Sequence, residues 1–215
     1  RAGRRVDPQW GIVTRWVEHG SGGYWDYCDF PLADLDVGQI AEWPMPDADD
    51  YDYDALTEQA GRWGDLALYV GNPGLGDILN TTGMWCSMER VFIALADRDA
   101  AWLHLVDRRM EIQLRMTERC LQTLHGRIDF LWMGEDLGSQ AGPLLSPAMY
   151  RETLKPRHQK FLDLAATYGV PVMMHSGGSS SWAFEDFIDM GIAAVDTLLP
   201  EAALMDPAYL KRRYG

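Results

Sequence analysis

The stretch that decides the fold runs from Gly134 to Gly178 and reads GEDLGSQAGPLLSPAMYRETLKPRHQKFLDLAATYGVPVMMHSGG. An apolar run over residues 128–133 leads into it and is followed by Asp136. A second apolar run over residues 170–174 is followed by His175. A long helical segment separates the two runs. A strand, a helix and a second strand, with polar groups just past the C-terminal end of each strand, form the layout of an α/β active site.

Outward from this stretch, the sequence predicts the same alternation of strands and helices. The predicted strands are continuous apolar runs near 66–71, 128–134, 170–175 and 193–199. Because such runs are typical of parallel strands covered by helices, we expect these four to be parallel neighbours in one sheet. Helices are predicted over 54–63, 84–95, 99–125, 146–169, 180–190 and from 206 onward, with a kink or break at Pro156.

Residues 1–53 show no helical or strand period and are rich in aromatic and acidic side chains, so they are predicted to be irregular. Two interpretations of their rings stay open: a wall that contacts substrate, or an extension pinned to the barrel by buried aromatics. The rings are those of Trp10, Trp16, Tyr24, Trp25, Tyr27, Phe30 and Trp43. With the β/α units of residues 54–215, this segment is predicted to form a single domain. The chain lacks an initiator Met and stops after a predicted helix, so we expect that domain to be incomplete.

Charge and cysteine content narrow the classes of function. The 215 residues carry 32 acidic and 19 basic side chains, a formal net charge of −13. Nucleic acid and anionic membrane surfaces attract basic proteins, so neither is expected as a partner. The three cysteines are widely spaced without a C-x-x-C pair, which favours a reducing cytoplasmic location over a disulfide scaffold. No apolar run approaches the ~18 residues of a membrane span.

Short motifs follow one another in a fixed order along the second half of the chain: Glu135-Asp136-Leu137-Gly138, Ser146-Pro147-x-Met149-Tyr150, Lys155-Pro156, His175-Ser176-Gly177-Gly178 and Gly191-x-x-Ala194-Val195. Further pieces lie at Asp7-x-x-Trp10-Gly11, Pro31-Leu32, Trp43-Pro44-x-Pro46-Asp47 and Met205-Asp206-Pro207. Together they resemble divergent members of the uroporphyrinogen decarboxylase superfamily, which includes the methylcobalamin:coenzyme M methyltransferases. The resemblance implies a (β/α)₈ TIM barrel, present here only in part, because a full barrel takes ~250 residues.

Two residues are assigned catalytic roles. Asp136 follows the strand 128–134, where a carboxylate can accept a proton or bind pyrrole N–H groups, or can instead cap the loop before Ser146. His175 ends the strand 170–175 and either lines the cleft or is fixed there by hydrogen bonds. Five further residues at strand ends or in turns are assigned to substrate binding: Asn72, Glu135, Gln140, Ser176 and Glu201.

The reasons for these five assignments differ. Gln140, like Asp136, comes after the apolar run over residues 128–133. Asn72 lies in a glycine-flanked turn that allows close backbone approach. Glu135 is adjacent to Asp136 and is expected to face away from the cleft. Ser176 opens a serine- and glycine-rich loop over 176–181, which is either an anion site at a helix start or a flexible, capped linker. Glu201 is a carboxylate that could join His175 as a ligand of a metal ion.

The resemblance implies three functions, which stay open. The first is decarboxylation of a tetrapyrrole side chain, which needs no cofactor. The second is methyl transfer that involves a corrinoid protein; its zinc-dependent enzymes have a zinc ligand at the position of His175 and a Cys two residues later. Gly177 stands there instead, and catalytic zinc takes about three protein ligands, so no metal site is expected. The third is binding of a tetrapyrrole or corrinoid without turnover.

Overall fold

The computed structural model describes residues 3–215 of an α/β protein. The chain divides into two compact units. The first comprises the chain up to Asp47 together with Ile78–Arg109, and the second comprises Ala48–Asp77 and Met110–Gly215.

The β-strands within residues 3–215 are β1 (Arg4–Val6), β2 (Val13–His19), β3 (Gly22–Tyr27), β4 (Tyr69–Gly71), β5 (Phe130–Gly134), β6 (Val172–His175) and β7 (Ala194–Asp196). The α-helices of the same region are α1 (Val37–Glu42), α2 (Asp54–Arg62), α3 (Leu79–Cys86), α4 (Met88–Asp97), α5 (Ala100–Thr123), α6 (Pro147–Met149), α7 (Lys155–Thr167), α8 (Phe184–Met190) and α9 (Pro207–Tyr214). Short 3₁₀ turns occupy Ala48–Asp50 and Ser181–Ala183, and a π-helical turn occupies Tyr150–Leu154.

The first unit contains an antiparallel sheet in the order β1-β2-β3, inside the segment that was predicted to be irregular. That prediction is wrong for residues 4–27. A two-residue turn at 20–21 joins β2 to β3, and the directly opposed Trp16 and Trp25 pack edge to face across the strands. Both faces of this sheet are largely exposed, so no alternation of apolar and polar residues marked its strands in the sequence.

Two buried tryptophans anchor the rest of the first unit. The indole N–H of Trp85 donates to the carbonyl of Trp10 (2.8 Å), and that of Trp102 donates to the hydroxyl of Thr82 (3.0 Å). The ring of Trp10 also packs 5.9 Å from that of Trp85. By contrast, the rings of Trp16, Tyr24, Trp25 and Tyr27 are exposed, so the interpretation of buried, pinning aromatics is wrong for these four.

The second unit contains a parallel sheet in the order β4-β5-β6-β7, which confirms the four predicted parallel neighbours. One face of this sheet is buried, as Leu131, Met133, Val172 and Met174 show. The residues between them are half-exposed on the other face. Across the described part of the chain, β4 and β7 are the two edges of this sheet, and it does not close into a barrel.

The segment between β5 and β6 shows how the chain accommodates a proline. Ser146 caps α6 by accepting the N–H of Met149 (3.2 Å), as predicted. The π-helical turn follows, and α7 begins one residue before Pro156. The backbone is already helical at Leu154 and Lys155, and the N–H of Lys155 donates to the carbonyl of Tyr150. The helix is therefore not broken at Pro156; the backbone hydrogen bonding changes from π-helical to α-helical just before it.

The long helix α5 matches the helix predicted over 99–125, and it buries one stripe of side chains that includes Val106, Met110, Thr117 and Leu121. Within residues 3–215, no helix combines the length and the apolar character that crossing a membrane requires.

Candidate active site

The C-terminal ends of β5, β6 and β7 bring polar side chains together. The register pairs Gly134 with His175 and His175 with Asp196, so these strand-end residues stand side by side. Asp136 follows β5 by two residues, and its Oδ1 lies 3.5 Å from Nε2 of His175. The two residues that the sequence assigned to catalysis therefore meet at one edge of the sheet.

A second carboxylate faces the other nitrogen of the same imidazole. Nδ1 of His175 lies 3.4 Å from Oδ2 of Asp196 and 3.2 Å from the hydroxyl of Thr197. Asp196 is itself held in place, because the indole N–H of Trp132 donates to its Oδ1 (3.0 Å). Asp196, Thr197 and Trp132 thus orient the ring of His175 toward Asp136.

An imidazole between two carboxylates can exchange a proton with either one. The side chains of His175 and Asp136 are 21% and 41% exposed, so solvent and a small molecule can reach both. Their separation exceeds the ~2.7–3.2 Å of a well-formed hydrogen bond. The arrangement is suited to proton transfer at a reachable edge of the sheet.

Gly177 makes room for Asp136. Its N–H donates to Oδ1 of Asp136 at 2.7 Å, and a Cβ at position 177 would lie only 2.9 Å from that same oxygen. A side chain at this position, cysteine included, would compete with the Asp136 carboxylate for space. Gly177 is thus coupled to the placement of the Asp136 carboxylate.

Three residues of this site were missed by sequence reasoning: Trp132, Asp196 and Thr197. The predicted strand 193–199 ran past Asp196, whereas β7 ends at it. The rule that selected Asp136 and His175, a polar residue at the end of an apolar run, would have selected Asp196 had the strand been drawn shorter. Trp132 carried no such signal, because a tryptophan within a strand is ordinarily a packing residue.

Glu135 faces the opposite side of the strand end. Its side chain and that of His158 on α7 are both 0% exposed, and its Oε2 lies 3.4 Å from Nε2 of His158. Burial lowers the pKa of His158 to about 4, so this ring is neutral near pH 7. Within residues 3–215, neither ring nitrogen of His158 forms a hydrogen bond of normal geometry. The position places Glu135 in the core, away from a substrate that approaches Asp136.

Ser176 and the serines after it are buried and bonded within the protein. The hydroxyl of Ser176 accepts the N–H of Leu137 (3.3 Å), and that of Ser180 donates to the Ser176 carbonyl (3.2 Å). The hydroxyls of Ser179 and Ser181 donate to the carbonyls of residues 203 and 204. These bonds use the serine hydroxyls to fasten the loop 176–181, so the flexibility that the linker interpretation expected does not fit this loop.

The remaining residues assigned to substrate binding are exposed. Asn72 accepts the N–H of Gly74 through its side chain (2.7 Å), which closes the predicted turn after β4. Gln140 lies in the loop after β5, and its carbonyl accepts the N–H of Ala203 (3.0 Å). Glu201 lies in the loop after β7.

The donor set does not fit a zinc ion. Throughout the described part of the chain, no group of three or more His, Cys, Asp or Glu side chains is arranged to hold a metal. Position 177 supplies no donor atom, and Asp136 fills the space that a thiol there would need.

No protein-family model and no curated protein matches this chain.

Proposed function

We propose that the chain carries the proton-handling site of a uroporphyrinogen decarboxylase-like enzyme, which removes carboxylate groups from the side chains of a tetrapyrrole. The observation that supports this best is the row of Asp136, His175 and Asp196 at the C-terminal edge of the parallel sheet, with separations of 3.4–3.5 Å. Asp136 and His175 both belong to motifs that resemble the superfamily, Glu135-Asp136-Leu137-Gly138 and His175-Ser176-Gly177-Gly178.

Under this proposal, Asp136 accepts hydrogen bonds from pyrrole N–H groups and holds the macrocycle at the sheet edge. His175, oriented by Asp196, lines the cleft beside it and supplies protons. A proton added to a pyrrole carbon makes the ring an electron acceptor. The bond from the side-chain carbon to its carboxylate then breaks, its electron pair moves into the ring, and CO₂ leaves. The side-chain carbon gains a proton as the ring loses the one that it received.

The proposal includes a TIM barrel, of which β4–β7 would be consecutive strands. The uneven burial of the sheet supports this. The half-exposed face carries an aromatic strip in which Tyr69 stacks on Phe130 (5.2 Å) and meets Trp132 edge-on (5.4 Å). A barrel would enclose that face, and active sites of such barrels lie at the C-terminal ends of the strands.

Methyl transfer with a corrinoid protein is the second candidate. One observation favours it: a carboxylate faces Nδ1 of His175, as is usual for histidines whose other nitrogen binds a metal. The lack of space for a side chain at Gly177 argues against the zinc-dependent form. This candidate would therefore have to act without the thiolate ligand of the zinc-dependent enzymes.

The test is anaerobic incubation of the protein with a porphyrinogen that carries carboxylated side chains, followed by chromatography that counts the carboxylates left. We expect products with fewer carboxylates, and their loss in His175→Gln. The matched control is His125→Gln, since His125 is an exposed histidine elsewhere in the same unit. Saturable binding without product would favour a non-catalytic role, and demethylation of methylcobalamin in place of decarboxylation would favour methyl transfer.

A further inference from the structure

The first unit contains a cavity that the proposed reaction does not use. Its volume is about 330 Å³, within the ~300–1,000 Å³ usual for small-molecule sites. Its floor is the β1-β2-β3 sheet and its walls are the turn after β1 and a methionine of α3. The lining residues that matter below are Arg5, Asp7, Trp10, Thr14, Trp25 and Tyr27.

The strand register sets the floor of this cavity. Arg5 pairs with Thr14 and Thr14 pairs with Tyr27, so these three side chains form one row across the same face of the sheet. Trp25 lies on that face two residues from Tyr27, and the Arg5 guanidinium lies 6.0 Å from the centre of its ring. The floor therefore carries two aromatic side chains, Trp25 and Tyr27, with one cationic group beside them.

Arg5 has no acidic partner within residues 3–215, although the chain has 32 acidic side chains. Its neighbour Arg4 lies on the opposite face and binds Asp29 with two hydrogen bonds (3.0 and 3.1 Å). The acid nearest in the cavity wall, Asp7, accepts the N–H groups of Gln9 and Trp10 through Oδ1. In so acidic a protein, a guanidinium left with only a ring contact has its N–H donors available to a ligand.

The rings beside Arg5 are exposed to a degree unusual for such large side chains. Trp25 and Tyr27 are 44% and 42% exposed. Stacking a flat group on them would remove apolar surface from water, and aromatic contacts of this kind contribute ~0.5–1.5 kcal/mol beyond the buried area.

We propose that this cavity binds a planar aromatic carboxylate. The Arg5 fork matches the two oxygens of a carboxylate, and Arg5 has no acidic partner within residues 3–215 that would compete with this ligand. The aromatic part of the ligand lies against Trp25 and Tyr27, and the Thr14 hydroxyl stands between them and Arg5 on the floor.

The experiment is a titration of the ¹⁵N-labelled 215-residue chain, with the tryptophan indole N–H signals followed by NMR. Three probes separate charge from shape: benzoate, its neutral counterpart benzamide, and the non-planar acid cyclohexanecarboxylate. We expect benzoate to shift the Trp25 signal saturably and to bind more tightly than either of the other two probes.

The variant is Arg5→Gln, and Arg15→Gln is its matched control, since Arg15 is an exposed arginine of β2 on the opposite face. Loss of one charge-assisted pair should weaken benzoate binding about tenfold or more in Arg5→Gln and leave it unchanged in Arg15→Gln. Arg5→Lys, which keeps the charge but not the fork, should lie between. Equal affinity for benzoate and benzamide, equal effects of the two glutamine variants, or no saturable shift of Trp25 up to the solubility limit of benzoate would each overturn the proposal.

Discussion

Two histidines of the second unit lie at almost the same distance from a carboxylate oxygen, but they differ in their exposure to solvent and in their further partners. Nε2 of His175 lies 3.5 Å from a carboxylate oxygen of Asp136, and Nε2 of His158 lies 3.4 Å from one of Glu135. The first pair is reachable from solvent and has a second carboxylate behind it. The second pair is wholly buried.

The carboxylates of the two pairs come from adjacent residues at the end of β5. Because successive side chains of an extended segment point to opposite faces, Asp136 emerges at the open edge and Glu135 enters the core. Burial keeps His158 neutral, whereas His175 stays in contact with solvent and can exchange protons. A histidine–carboxylate pair is therefore not by itself a functional site, since its environment decides whether the pair can do chemistry.

The largest expected effects distinguish Asp136 from Glu135: loss of the first carboxylate should change the reaction rate, and loss of the second should change stability. Asp136→Asn should lower the rate of the porphyrinogen reaction ~10²–10³-fold, because the site loses the negative charge that holds the pyrrole N–H groups beside His175. Its free energy of unfolding should change little, since the amide oxygen can still accept the N–H of Gly177. Steady-state kinetics and urea unfolding of the same preparations measure both quantities.

Glu135→Ala is the companion variant and should behave in the opposite way. Removing a fully buried side chain leaves a cavity and takes the carboxylate from His158, which should cost about 2–4 kcal/mol of stability. The rate per folded molecule should fall far less than in Asp136→Asn. A Glu135→Ala protein that is stable but inactive would show that the chemistry depends on Glu135, and it would contradict the role proposed for Asp136.

The pH dependence of stability tests the buried pair. The pKa of His158 is about 4 in the folded protein and ~6.5 in an unfolded chain, so between these values the unfolded state binds a proton that the folded state does not. The free energy of unfolding should therefore fall as the pH drops from about 6.5 to about 4, by on the order of 3 kcal/mol in total. His158→Gln should remove this part of the dependence, and His125→Gln should retain it. Urea unfolding at a series of pH values gives the difference, and parallel curves for both variants would show that burial does not control His158.

Asp196→Asn tests whether the second carboxylate orients His175. The amide cannot serve both the indole N–H of Trp132 and the imidazole as the carboxylate does, so kcat should fall about 10–100-fold while KM changes little. The pH profile of kcat should shift as well, which a purely structural defect would not cause. Asp189→Asn alters an exposed carboxylate of α8 and should match the unaltered protein.

The smallest effect is expected at Gly177. In Gly177→Ala the new methyl group approaches Oδ1 of Asp136, which must shift by a few tenths of an ångström. Because that oxygen belongs to a half-exposed side chain, stability should change by less than about 1 kcal/mol. Activity should fall several-fold nonetheless, as the Asp136 carboxylate turns away from His175. Full activity in this variant would mean that the close fit at Gly177 is incidental.

The sequence predicted the parallel sheet well because its strands are unbroken apolar runs and their helices have clear caps, such as Ser146. The hairpin of residues 4–27 was missed because its aromatic side chains lie on an exposed sheet, where no contrast between two faces exists. His158 gave no sign of its role, since a single histidine within an amphipathic helix does not reveal which carboxylate it will meet. Asp196 was hidden by a strand boundary placed three residues too late.

The loops that follow β5, β6 and β7 are fastened to one another, which has a consequence for motion. The N–H of Ser179 donates to the Ser139 carbonyl (2.8 Å), and a Cβ at Gly178 would strike the Gly138 carbonyl. The Ser179 hydroxyl reaches the carbonyl of Ala203, whose own N–H donates to Gln140. Displacing any one of these loops breaks bonds to the other two, so the residues that they carry move together as one cooperative body. Under the proposed function, a substrate would therefore enter and leave past these three joined loops, not under a lid formed by one of them.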